Sequence, residues 1–453
     1  MHRVFDQVDW EREGKDAVEL LRALLRFDTT NPPGDEADCA EFLAAHLRDA
    51  GVEPQLLAPA PGRANLVLRL RGDGSAAPLL LNGHLDVVAA EADRWRHPPF
   101  AGEVHQGAVW GRGAVDMKHM VAMSAVVIGL LARLGAPLRR DLILAAVADE
   151  EAGCAMGSAW LVEHHPDKVR AEYALGEVGG ATVWVGGRPV YPIQVAEKGI
   201  CWLRATARGA TGHGSIPRDD NAVVRLAEFL ALVGRRRLPL HPSPEVRRFL
   251  EALAATQGRP ARAVLPLLLR PRLSELLLDR VIRDRGAART IAAVLRNTVT
   301  PTVVHAGHKT NVIPGRAEAE LDGRIAVGSS EAELLAELRA LAGDDIELEL
   351  VLPSHPPTSS PADGELLGIL GEVVAEHHPG AVAVPSVTPG FTDAKYWSKL
   401  GTACYGFSPV RLERSDGDYA ALFHGDDERV PVAGLHAGLR MLADAVARCC
   451  VRP

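Results

Sequence analysis

Between residues 16 and 27, Val18, Leu20, Leu21, Leu24 and Leu25 recur at helical spacing, and Asn31-Pro32-Pro33-Gly34 then breaks the pattern. This predicts an opening helix followed by a loop. A second helix is expected over residues 37–50. The short apolar segments 64–70, 79–81 and Leu142–Val147 read as strands with helical segments between them. The longest apolar run, residues 120–132, is too short to span a bilayer and is closed by Arg133, so it reads as a buried helix. Strands alternating with helices predict an α/β sheet with both faces covered.

Near Gln194 the texture changes. Cys201-Trp202-Leu203-Arg204-Ala205-Thr206 alternates as a half-buried strand, and residues 221–233 form an amphipathic helical pattern. A second set follows: Arg316–Ile325 as strand, 331–341 as helix and 346–352 as strand. Together they predict a compact α+β insert over residues 193–354, with a helical elaboration at about 243–297. The flanking segments, 1–192 and 355–453, would then be two parts of one larger domain. Within the insert, Arg235-Arg236-Arg237 reads as a solvated helix end in preference to an anion patch, because positive charge suits a helix C-terminus.

Composition narrows the function. The 453 residues carry a net charge of −8, which argues against a nucleic-acid surface, since phosphate binding needs a basic face. Six cysteines show neither the density of a disulfide framework nor a CxxC metal spacing, so a reducing, cytoplasmic setting is expected. Met1-His2-Arg3-Val4-Phe5-Asp6 shows no apolar core of a secretory signal, and no membrane partner is expected.

Three clusters carry chemistry. Leu79-Leu80-Leu81-Asn82-Gly83-His84-Leu85-Asp86 is a buried strand ending in His-x-Asp. Residues two apart face the same side of an extended chain, so His84 can bind a metal while Asp86 orients its imidazole; a polar loop would carry the same residues. In Gly111-Arg112-Gly113-Ala114-Val115-Asp116-Met117-Lys118, Asp116 is either the N-cap of the next helix or a carboxylate bridging two cations. The third, Asp149-Glu150-Glu151, directly follows an apolar strand. Three adjacent acids repel one another unless protons or cations neutralise them, and open α/β sheets place ligands at such strand ends. A solvated acidic turn is the alternative.

Taken in order, these clusters resemble the M20 family of dinuclear zinc peptidases and amidohydrolases, from Asp28-Thr29-Thr30-Asn31-Pro32-Pro33-Gly34 to His424-Gly425-Asp426-Asp427-Glu428. The resemblance implies a zinc-peptidase-like catalytic domain with a covered mixed sheet, plus an inserted α+β lid and dimerisation domain. It implies two Zn2+ per subunit, with Co2+ or Mn2+ also compatible with such ligands. His84 and Glu177 would hold one metal, Glu151 and His424 the other, and Asp116 would bridge them. Glu150 would be the general acid/base acting on the amide bond of a small peptide or N-acyl amino acid.

In the insert, Ala210-Thr211-Gly212-His213-Gly214-Ser215-Ile216-Pro217 resembles the family's lid motif. His213 would reach the active site of the partner subunit and stabilise the oxyanion, which implies a homodimer. Asn311 and Arg324 match lid positions that contact substrate, and a guanidinium there would grip a free carboxylate in bidentate fashion. Gly390 and Thr392 fall in Pro389-Gly390-Phe391-Thr392-Asp393-Ala394, which is similar to the family's Gly-Gly-Thr-Asp loop. Two positions depart from the family pattern. His119 follows Asp-Met-Lys where many members have glycine, and Phe391 stands where the second glycine is expected.

Overall fold

The computed structural model describes residues 1–259 and 261–452. The chain divides into two compact units, one comprising 1–195, 360–385 and 392 onward, the other 196–359 and 386–391. The centre of the first unit is a mixed sheet. Four mutually parallel strands run through it: β1 (Leu79–His84), β2 (Leu142–Val147), β3 (Tyr173–Gly176) and β4 (Ala403–Gly406). They lie in the order β2-β1-β3-β4, and the antiparallel strand Arg63–Leu70 pairs with the free side of β2. β1 and β2 are buried along their whole length, so β2 reads as a continuous apolar run and β1 opens with Leu79-Leu80-Leu81, neither showing alternation.

Register fixes where the strands end. His84 pairs with Val147, and Gly406 with Gly176. The carboxyl ends of the parallel strands therefore come out along one edge, where open α/β sheets carry their ligands.

Helices α1 (Trp10–Leu24), α2 (Ala37–Asp49), α3 (Lys118–Arg133) and α4 (Val432–Cys450) pack into the core around this sheet. α3 is buried from Lys118 to Leu131, matching its largely apolar sequence from Met120 onward. Lys118 is tolerated inside because its ammonium donates to the carbonyls of Leu24 and Phe27 at 3.1 and 3.0 Å. No helix among the described residues is long and apolar enough to cross a membrane. None of the six cysteines forms a disulfide among the described residues.

The second unit holds an antiparallel sheet in the order Thr298–Ala306, Arg316–Ile325, Gly199–Arg208, Ile346–Leu350. Arg316–Ile325 alternates strictly, its apolar side packing with helices Ala222–Arg235 and Glu331–Ala342 into a core separate from that of the first unit. The region read as a helical elaboration contains Pro244–Thr256, Pro271–Leu276 and Arg285–Val294, which share an apolar cluster around Leu250, Leu268, Leu278 and Ile291.

The termini of the first unit are tied together by Asp444, whose side chain is fully buried in α4. Its carboxylate accepts from the His2 amide at 2.6 Å, His377 Nε2 at 2.9 Å and Arg448 Nη2 at 3.0 Å. Burial alone favours the neutral acid, but His377 and Arg448 outweigh it and hold the carboxyl well below the usual aspartate range. Because the folded pKa is depressed, this stabilisation is fully present above the ordinary aspartate value of about 3.9 and is lost as the pH falls towards the folded value. Asp444→Asn should therefore lower stability by about 3 kcal/mol at pH 7. In denaturant titrations, the gap between variant and wild type should narrow as the pH drops below about 3.9; a gap independent of pH would contradict the assignment.

Candidate metal centre

Each functional side chain arrives at the sheet edge for a local reason. His84 is the last residue of β1, and Glu150 and Glu151 lie in the turn after β2. Glu177 directly follows β3. Asp116 comes from the loop between Ala108–Trp110 and α3. Strand Arg429–Pro431 pairs with Ala108–Trp110, Arg429 opposite Trp110, and so brings the His424 loop beside the Asp116 loop.

Asp116 stands at the centre. Its Oδ1 is 3.1 Å from His84 Nε2 and its Oδ2 is 3.1 Å from His424 Nε2. On the first side Glu177 Oε2 is 3.7 Å from His84 Nε2, and on the second Glu151 Oε2 is 3.1 Å from His424 Nε2. Two triads result, His84–Asp116–Glu177 and Asp116–Glu151–His424, each with its ligand atoms within 4.8 Å of one another and sharing one carboxylate. Asp116 is not an N-cap: α3 begins at Lys118 after Met117, and no side chain caps it.

The electrostatics are those of a cation site. Burial raises the pKa of Glu150 well above its ordinary value, with Glu177 adding to the effect. Burial likewise pushes Glu177 up to about 8 and raises Glu151. His424 is pushed up to about 10 by Asp116 and Glu151. Burial works against charge on His84, yet Asp116, Asp86 and Glu177 raise it well above the usual imidazole value. The carboxylates around both imidazoles thus favour positive charge at this place. Glu150, Glu151 and Glu177 each keep one buried Oε1 with no hydrogen-bond partner among the described residues. Three orphaned acid oxygens beside two imidazoles fit a pair of divalent cations, in a donor set that suits zinc, cobalt or manganese.

A supporting shell holds these groups in place. Asp86 is fully buried; its Oδ1 accepts the Glu150 amide at 3.0 Å, and its Oδ2 accepts the Glu151 amide at 3.1 Å and Asn31 Nδ2 at 2.9 Å. His84 Nδ1 lies closer to the Asp86 carbonyl, at 2.9 Å, than to the carboxylate at 3.5 Å. Asp86 thus fixes both the imidazole and the turn that carries the two glutamates. Asp149 turns away from the cluster with φ +68°, held by Asn31 and Arg63 at 2.9 Å each, so the three consecutive acids are divided between scaffold and site.

Glu428 is a member of this shell whose role the sequence did not suggest. It is buried, pairs with Arg112 Nη1 at 2.6 Å and accepts the amides of Gly113, Val115 and Asp116 at 3.0, 2.6 and 2.9 Å. Gly113 sits at φ +92°, a conformation glycine adopts freely, and this lets the loop wrap around that carboxylate. The only sequence signal was its place at the end of the His424 segment.

His119 belongs to neither triad. It is buried, and desolvation pulls its pKa down to about 4, leaving a neutral ring. Thr392 is buried, with its hydroxyl accepting the Ala394 amide at 3.1 Å, and Gly390 is half-buried.

The remaining predicted residues lie in the second unit. His213 is exposed, on a two-residue strand paired with Val312–Ile313, and its Nδ1 is 2.8 Å from Ser215 Oγ. The same pairing places Asn311 beside it, its carbonyl accepting the Gly214 amide at 2.9 Å. The Arg324 guanidinium is gripped by Asp322 at 2.8 and 3.1 Å and lies 5.0 Å from the Phe391 ring centre, while its Nη1 is buried without a partner among the described residues. The fork expected to meet substrate is therefore half committed to Asp322, and one nitrogen remains.

Comparison with known proteins identifies the family and the fold. The sequence profile described as peptidase family M20/M25/M40 matches residues 80–448. The N-fatty-acyl-amino acid synthase/hydrolase PM20D1 of Xenopus tropicalis is 28% identical over 93% of this chain and 83% of its own length. Aminoacylase-1 of Sus scrofa is 26% identical over 92% of each chain. Among solved structures, the M20 family metallo-carboxypeptidase Sso-CP2 from Sulfolobus solfataricus superposes with a TM-score of 0.70 at 16% identity, covering 95% of this chain and 98% of that one. Human carnosine dipeptidase 1 gives 0.68 at 14% identity over 98% and 97%. At such identities the structural likeness speaks for the fold, which is the mixed α/β arrangement the resemblance implied.

The shell makes a direct prediction. Glu428→Gln removes the charge that Arg112 and three amides surround, so the Asp116 loop should loosen and metal affinity should fall about 10–100-fold. Competition with a chromophoric chelator measures this; unchanged affinity in a folded variant would show that the loop holds its shape without Glu428.

Proposed function

The chain belongs to peptidase family M20/M25/M40, a family of hydrolases acting on amide bonds, and from that premise we propose that it is a dinuclear metal-dependent amidohydrolase for small peptides or N-acyl amino acids with a free carboxylate. The observation that carries this reading is Asp116, each of whose oxygens faces a different histidine at 3.1 Å.

His84, Asp116 and Glu177 would hold one cation, and Asp116, Glu151 and His424 the other. Zinc is the default. Bound there, two cations polarise a scissile carbonyl and make a nearby water acidic. The chain's own residues do the rest. Glu150 belongs to neither triad, and its carboxylate takes the proton from the attacking water and returns it to the departing nitrogen. Asp86 holds the Glu150 and Glu151 amides in register with His84. The three ligand carboxylates contribute −3 against +4, leaving a net positive centre suited to a developing oxyanion. Arg324 Nη1 is the group offered to the substrate carboxylate. Asn311, Gly390 and Thr392 are assigned to the surrounding substrate contacts. Two relatives whose printed names concern acylated amino acids favour that substrate group over free dipeptides.

Glu150→Gln should keep its metal and lose about 10²–10⁴-fold in turnover, because it removes only the proton carrier. The assay is mass-spectrometric turnover of mixed dipeptides and N-acyl amino acids by zinc-loaded enzyme. Cleavage confined to free-carboxylate substrates and abolished in the variant is the expected result; equal turnover by Glu150→Gln would refute the assignment.

His213 is assigned to the partner subunit's active site, where it stabilises the oxyanion. Dimerisation through the second unit is supported by its edge strand Thr298–Ala306, which leaves Val303 and Val304 exposed. Singly, His213→Ala and Glu150→Gln should be nearly inactive. Mixed in equal amounts they should recover about a quarter of wild-type activity, since half the dimers are then hybrids with one complete site each. No recovery after verified subunit exchange would remove the trans role.

A further inference from the structure

A cavity of about 450 Å³ opens in the second unit among helices Ala222–Arg235 and Arg285–Val294 and strand Thr298–Ala306. Its volume lies within the range of small-ligand pockets, roughly 300–1,000 Å³. One part of the lining is apolar, with Val233, Leu278, Ala288 and Leu338. The other part is formed by five arginines, Arg236, Arg237, Arg285, Arg289 and Arg296, and no carboxylate lines it.

The charge there is incompletely matched. Arg237 pairs with Glu275 and with Asp279, and Arg296 shares Glu275. Arg285 donates to the carbonyls of Leu278 and Asp279 at 3.2 and 3.0 Å. Five guanidinium groups thus meet two carboxylates, a local excess of three positive charges. Arg236 and Arg289 are exposed and make no ion pair among the described residues. Arg235-Arg236-Arg237 is consequently more than a solvated helix end, because the helical elaboration brings Glu275, Asp279, Arg285 and Arg289 up against it.

Arg296 is the decisive residue. Its side chain is only 3% exposed, and its Nη1 is buried with no hydrogen-bond partner among the described residues. A guanidinium does not shed its proton at accessible pH, so an unpaired buried N–H on a cation is a cost the fold carries until an acceptor arrives. The side chain is held in place by its other nitrogen, because Nη2 donates to Ser274 Oγ at 3.2 Å and to Glu275.

We propose that this cavity is a second ligand site, sharing no residue with the carboxylate cluster, that binds an anionic amphiphile: a carboxylate or phosphate head on Arg296, Arg289 and Arg236, with a short apolar chain along Val233, Leu278, Ala288 and Leu338. Neither half of the lining alone accounts for the other. A bare anion would leave the apolar wall wet, and a neutral apolar molecule would leave the unpaired charges of Arg236 and Arg289 unmatched.

The test is calorimetric titration of the metal-loaded full chain with decanoate, decyl phosphate, decanol and acetate, with hydrogen-exchange mass spectrometry to locate binding. Decanoate or decyl phosphate should saturate one site and protect residues 285–297, the tighter of the two identifying the head group. Decanol and acetate should bind at least roughly tenfold more weakly, since each loses one of the two interactions. Arg296 is packed into the fold, so the exposed pair is changed instead: Arg236→Glu with Arg289→Glu should weaken amphiphile binding by roughly tenfold or more while metal content and hydrolysis stay at wild-type levels. Decanol binding as tightly as decanoate, equal binding by the double variant, protection confined to other segments, or no saturable binding of either headed probe would each overturn the proposal.

Discussion

The mutual repulsion of buried carboxylates around Asp116 is the constraint on which the first unit's architecture depends. Asp116, Glu150 and Glu177 are buried, with the Glu151 carboxylate nearly so, the glutamates just beyond strand ends and Asp116 in the loop before α3, where water cannot screen them. Burial raises the pKa values of Glu150 and Glu177, while the surrounding carboxylates raise those of His84 and His424. Such an arrangement is poor as packing and good as chemistry. It holds negative charge ready for a dication and keeps one further carboxyl, Glu150, beside it as a proton carrier.

Holding that charge in place requires a frame of opposite character, and the hydrogen bonds show it. The Asp116 loop is organised by a carboxylate more than three hundred residues distant in sequence, Glu428, which collects three of its amides. The Glu150–Glu151 turn is organised by Asp86 in the same manner. In both cases an acid bonded to main-chain amides, and not itself in either triad, sets the direction of the acids that are. Asp149, Val178 and His424, each at positive φ within or directly beside the site, sit where such a frame over-determines the backbone.

This division explains what the sequence disclosed. β1 and β2 were legible because a run of apolar residues ending in acids or histidine is a local pattern, and the triad members were legible because each follows such a run or closes a motif. Asp116 was ambiguous from spacing alone: an aspartate two residues before a helix is equally a cap, and only the distances to His84 and His424 separate the readings. Glu428 was hidden because three of its partners are backbone amides, which leave no trace in residue identity, and the fourth, Arg112, is far away in sequence. Asp149 was grouped with its neighbours because a single φ angle, invisible in sequence, turns it the other way.

The arginines of the second unit illustrate the same limit from the opposite sign. Arg235-Arg236-Arg237 has the composition of a solvated helix end, and the helix macrodipole accounts for it as far as local sequence reaches. What alters its meaning is the elaboration some fifty residues onward, which supplies two acids to pair with Arg237 but leaves Arg296 buried with an unused donor. The carboxylate cluster and the arginine cavity are thus two solutions to one problem. Each gathers like charge into a partly dry place and fixes it with neighbours that cannot neutralise it fully, and a residual field of that kind is discharged by a ligand of opposite sign. The difference lies in rigidity. Strand ends and amide-bound acids hold oxygen atoms closely enough for metal coordination, whereas long guanidinium side chains on helices suit a head group whose shape is less exacting.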